Sequence, residues 1–133
     1  MATNIFVNLP VTDLDRSVDF FTKLGYNFNE QFTDDTGASM VISENIYAML
    51  LTHDKFSQFT SKPISDATQS TEVLIALSAG SRESVDELVA TALNNGAVEA
   101  RTAEDHGFMY GRAFHDPDGH IWEIIWMDPE YVK

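Results

Sequence analysis

The stretch Phe114-His115-Asp116-Pro117-Asp118-Gly119-His120-Ile121-Trp122-Glu123 is the most informative in this chain of 133 residues. Asp at the first position, Pro at the second and Gly at the fourth spell a type I turn. The runs on either side predict strands over 108–114 and 120–127, joined by that turn. Along the second strand Trp122, Ile124 and Trp126 share one face, which should pack on a helix, while Glu123 points the other way.

Upstream, residues 72–78 read as a strand, and Ser81 caps a helix whose apolar positions are Val85, Leu88, Val89 and Ala92. Asn95-Gly96 ends that helix, and a strand over 97–102 follows. The first half has the same order. A strand over 5–11 is bounded by Pro10. A helix over 13–24 carries Leu14, Val18, Phe21 and Leu24, with Thr12 or Asp13 as its cap and Gly25 as its stop. Strands over 27–33, 39–43 and 46–52 complete it, with Asp34-Asp35-Thr36-Gly37 as a turn. The two helices share a tripeptide, Ser17-Val18-Asp19 and Ser84-Val85-Asp86.

A β-α-β-β-β unit of about 65 residues covers one sheet face with its helix and leaves the other bare, too little burial to stand alone. The predicted fold is therefore α+β: two tandem β-α-β-β-β modules forming a curled mixed sheet around a cleft. One domain spans 1–133, with module 1 at about 1–53, a connecting loop at about 54–71 and module 2 at about 72–133. The loop carries Phe56, Phe59 and Pro63; it reads as a solvated tether or as a segment that reaches a partner chain.

Composition narrows the function. Eight Lys and Arg against 21 Asp and Glu give a net charge of −13, with both halves acidic. Phosphate neutralisation needs a basic face, so no nucleic-acid partner is expected, and no anionic membrane. The chain has no cysteine, which excludes disulfides, thiolate metal sites and cysteine nucleophiles. Met1 leads into Ile5-Phe6-Val7 without a basic region, so a cytoplasmic protein without a cleaved signal is expected.

With the tandem plan, the Asp116–Glu123 segment resembles the vicinal oxygen chelate superfamily of glyoxalase I, extradiol dioxygenases and the fosfomycin- and bleomycin-resistance proteins. Residues Val11-Thr12-Asp13-Leu14-Asp15-Arg16-Ser17-Val18-Asp19-Phe20-Phe21 are similar to its opening pattern, with Phe21 where Tyr is usual. Residues 49–56, 70–73 and 107–112 resemble the group called predicted lactoylglutathione lyases. The resemblance implies metal ligands on the first and last strand of each module, which by spacing fall on Phe6, Leu51, Leu74 and Glu123. Only Glu123 has lone pairs to give, so no metal of the glyoxalase type is expected. Strand alternation adds Asn8 and Glu72 to the same faces; Glu72 and Glu123 are the residues for a divalent metal, if one binds. His115 and His120 read as exposed histidines flanking the turn.

The predicted ligand-binding cleft comprises Phe6, Asn8, Tyr47, Met49, Leu51, Glu72, Leu74, Phe108, Tyr110, Arg112 and Glu123. Glu123 is the one catalytic candidate, a general base in an apolar surround unless Arg112 on the neighbouring strand pairs with it. The expected function is a glyoxalase/bleomycin-resistance-like protein, without the usual metal site by this ligand count, that binds a small molecule in the sheet cleft as a homodimer. The alternative is a metal-dependent lyase or isomerase of lactoylglutathione lyase type with a rearranged metal site.

Overall fold

A computed structural model describes residues 2–131. The chain divides into two compact units, Met1–Ser65 and Asp66–Lys133, each with one four-stranded mixed sheet.

In the first unit β1 (Ile5–Val11) leads to α1 (Leu14–Lys23), followed by β2 (Asn27–Asn29), β3 (Gly37–Ser43) and β4 (Ile46–Thr52). The strand order is β1-β4-β3-β2, with β1 parallel to β4 and the rest antiparallel. Asp13 starts α1 by accepting from the Arg16 amide, and the chain leaves the helix at Gly25, whose φ of 104° suits glycine. Ser17, Phe20, Phe21 and Leu24 are buried, with Leu9, Val11, Met40, Ala48 and Leu50 on the strands. The strand expected to run to Thr33 stops at Asn29. There the Asn29 side chain accepts from the Gln31 amide and a 3₁₀ turn, Glu30–Phe32, begins.

The segment after β4 is not a plain tether. It opens with α2 (His53–Phe56), capped by Thr52, and a 3₁₀ turn at Ser57–Phe59, and α2 packs on β1 and β4. Its later part belongs to the second unit, where the Asp66 side chain accepts from the Thr68 amide and hydroxyl.

The second unit repeats the plan as β5 (Leu74–Ser78), α3 (Arg82–Leu93), β6 (Val98–Asp105), β7 (Met109–His115) and β8 (Ile121–Met127), in the order β5-β8-β7-β6. Ser81 caps α3, and Val85, Val89 and Ala92 are buried with Phe114, Trp122 and Ile124. Arg82 clamps the start of α3 to the end of β6. Its guanidinium forks onto Asp105 at 2.8 and 2.9 Å, donates to the Gly107 carbonyl, and lies over the rings of Tyr110 and Trp126.

That clamp has a pH signature. The Arg82 hydrogen bonds, with the Gly107 amide, hold Asp105 down at about 2, below its ordinary 3.8. A carboxylate lowered on folding stabilises above its unfolded pKa and loses that contribution as pH falls through the folded one. Resistance to urea should therefore fall as pH drops from about 4 to 2, and Asp105→Asn should flatten this limb; an unchanged acid limb would contradict the clamp. Glu104 and Asp34 are lowered too and act in the same direction.

Candidate functional site

Each sheet has one face under its helix and one face turned away from it. In the first unit Phe6, Asn8 and Pro10 stand in register with Tyr47, Met49 and Leu51, and these with Val41, Ser39 and Gly37. Residues directly opposite share a face, so this row lies on the side away from α1. Phe6 and Tyr47 stack with centroids 5.0 Å apart and planes 11° apart, and Phe6 is 53% exposed. Beside them Asn8 is exposed, and its amide donates to the Phe6 carbonyl at 3.3 Å. Met49 is half-buried. Leu51 is buried against Gly37, where a Cβ would lie 2.8 Å from the Leu51 Cδ2. Phe6, Asn8, Tyr47, Met49 and Leu51 thus come together on one face.

In the second unit Ala76, Glu123 and Ala113 are in register on the face away from α3, where Leu74 is 55% exposed. The Glu123 side chain is mostly buried, and Arg101 of β6 reaches it: Nη1 lies 2.7 Å from Oε1. That contact raises the Arg101 pKa further, so the guanidinium stays charged. Arg101 Nε also donates to Glu104 at 3.0 Å, and Glu104 in turn meets His106.

Several sequence expectations need correction here. Arg112 does not pair with Glu123. With Tyr110 it lies in register with Ile124 and Trp126, on the α3 side; Tyr110 donates to Asp86 at 2.6 Å, and Arg112 meets Asp86 and Glu99. The Asp86 hydrogen bond pushes the Tyr110 phenol pKa up. Phe108 precedes β7 and stacks on Tyr131 at 4.2 Å, away from Glu123's row. Glu72 also falls outside its strand, because β5 begins at Leu74, and its carboxylate meets His120 Nδ1 at 2.8 Å. His120 itself is buried, not exposed, while His115 Nδ1 lies 3.2 Å from the Gly119 carbonyl.

These partners decide how the carboxylates fit a metal. Glu72 is engaged by His120 and Glu123 by Arg101, and among the described residues no three His, Asp or Glu side chains gather as a ligand set. The residues present do not fit a divalent metal centre. Arg101 and His120 are the two participants that sequence reading missed. His120 was visible only as a neighbour of the turn, and its partner lies 48 residues away.

Comparison with known proteins agrees with this architecture. The family model described as bleomycin resistance protein-like N-terminal matches residues 3–43. No curated protein matches the sequence. Among solved structures, a hypothetical protein from S. aureus is 25% identical with a TM-score of 0.80, each chain covered to 95%. A glyoxalase/bleomycin resistance protein/dioxygenase family enzyme from Burkholderia phytofirmans is 17% identical with a TM-score of 0.78, covering 95% of this chain and 99% of its own. A fosfomycin resistance protein from Listeria monocytogenes is 17% identical with a TM-score of 0.69, covering 98% and 97%. The chain has the fold of these glyoxalase/bleomycin resistance proteins.

Proposed function

We propose that this chain uses its glyoxalase/bleomycin-resistance fold to bind a planar, apolar small molecule on the first sheet's face turned away from α1, without a divalent metal. The stacked Phe6–Tyr47 pair carries this reading. It is an aromatic surface left open on a sheet face, flanked by the Asn8 amide and the polarisable Met49, and it suits a flat ligand. The net charge of −13 makes an anionic ligand the least favourable kind. The reading includes a homodimer, which sedimentation equilibrium measures directly.

The lactoylglutathione lyase group that the sequence resembles supplies the alternative, a metal-dependent lyase or isomerase. It would need Glu72 and Glu123 on one ion and Glu123 free to take a proton. In this chain His120 and Arg101 occupy those carboxylates, so the binding reading takes precedence.

The test is a titration of 2-naphthol followed by backbone amide shifts. Shifts should map to residues 6, 8, 47 and 49, and Phe6→Ala should weaken binding by at least about fivefold, roughly the worth of one aromatic contact. Unperturbed resonances on that face would contradict the proposal.

A further inference from the structure

The four strands of the second unit each place one residue in a single row: Arg101 on β6, Ala113 on β7, Glu123 on β8 and Ala76 on β5. The two alanines leave space on both sides of Glu123. On one side Arg101 reaches across Ala113, which is fully buried, to Glu123 Oε1. A larger side chain at 113 would stand in its way. On the other side Ala76 lines a cavity of about 330 Å³ with Leu77, Ser78, Ala79, Ile125 and Met127.

The Arg101–Glu123 contact runs through Nη1 and Oε1. Arg101 spends Nη1 on Glu123 and Nε on Glu104. Its Nη2 and the Oε2 of Glu123 form no protein hydrogen bond among the described residues. A mainly apolar face thus holds a donor and an acceptor on two side chains already in contact, with an apolar cavity on the Ala76 side.

We propose that Arg101 and Glu123 form a recognition pair for an uncharged ligand group that carries an acceptor and a donor side by side, a carboxamide or lactam. This rests on the small-molecule reading above and names the class of group the second sheet takes. Charge selects it. The Arg101 guanidinium faces two carboxylates, Glu123 and Glu104, so an ionised carboxylate or phosphate meets a net negative set. An ammonium or amidinium meets the guanidinium at the free donor. An amide accepts from Nη2 and donates to Oε2 without the desolvation cost of a charge.

Benzamide, benzoate and benzamidine titrated into ¹⁵N-labelled protein test the pair. Benzamide should shift residues 76, 78, 113, 123 and 125 and bind at least ~10-fold more tightly than either charged analogue. The double variant Arg101→Leu/Glu123→Leu removes both charges together, which avoids leaving one buried and unpaired. It should stay folded and lose the preference. Benzoate or benzamidine binding as tightly as benzamide would overturn the proposal, as would a preference that survives in the double variant. Shifts confined to the Phe6–Tyr47 face would overturn this pair and leave the small-molecule reading standing. Silence on both faces, for these probes and for 2-naphthol, would reject both.

Discussion

Replacing Gly119 with alanine is expected to lower stability by about 2–4 kcal/mol, combining left-handed backbone strain with forced overpacking. Gly119 has a φ of 91°, a conformation that L side chains rarely adopt. A Cβ there would lie 2.9 Å from the Ala67 carbonyl carbon and oxygen and 3.0 Å from the Thr68 amide nitrogen. All three are backbone atoms, so no side chain can rotate away. Relief would require moving the Asp66 turn, which its own hydrogen bonds hold closed through Thr68, Gln69 and Ser70. Urea denaturation gives the loss, and hydrogen exchange should show it concentrated at residues 66–70. A change below about 0.5 kcal/mol, the range of neutral surface substitutions, would contradict this packing.

Asp116→Ala should cost more, about 3–5 kcal/mol, because several buried donors lose one acceptor at once. Asp116 Oδ1 accepts from the Asp118 and His120 amides at 2.9 and 3.0 Å, and Oδ2 from the Trp122 indole at 2.9 Å. The same turn closes through the Gly119 amide on the Asp116 carbonyl and the Asp116 amide on the His120 carbonyl. Asp116→Asn keeps one oxygen acceptor and should lose less. Its amide would face the indole N–H donor to donor, so the variant should still fall clearly below wild type. Burial raises the Asp116 pKa, opposed by His120, Trp122 and the Asp118 amide. Guanidinium unfolding followed by tryptophan fluorescence measures both variants; equal stability of Asp116→Ala and wild type would contradict the role of this carboxylate.

Both predictions concern the segment that was easiest to read as sequence. Asp, Pro and Gly at fixed turn positions act locally, so the type I turn and its flanking strands could be read before any long-range contact was known. The same holds for the helices, whose limits follow from Asp13 and Ser81 at their starts and Gly25 and Gly96 at their ends. Alternation likewise placed Phe6, Asn8, Tyr47, Met49 and Leu51 together, because β1 and β4 pair without a break.

The second sheet was harder to read for two physical reasons. Strand β6 shifts register on either side of Arg101, so alternation along it gives no face, and its charge reaches Glu123 across an intervening strand. Arg112 is nearer in sequence, but its parity puts it with Trp122 and Ile124 against α3. Glu72 was extrapolated along a strand that begins two residues later, and a partner 48 residues away captures its carboxylate. Periodicity cannot report contacts of that kind.

The most direct test of metal-independent binding on the face turned away from α1 is a calorimetric titration of 2-naphthol into protein purified without an affinity tag. It is run once after chelator treatment and once with stoichiometric Mn²⁺, with the hemithioacetal of methylglyoxal and glutathione assayed on both samples. Equal affinity in the two samples, with no turnover in either, is the predicted result. Binding or turnover that appears only with the metal would contradict it.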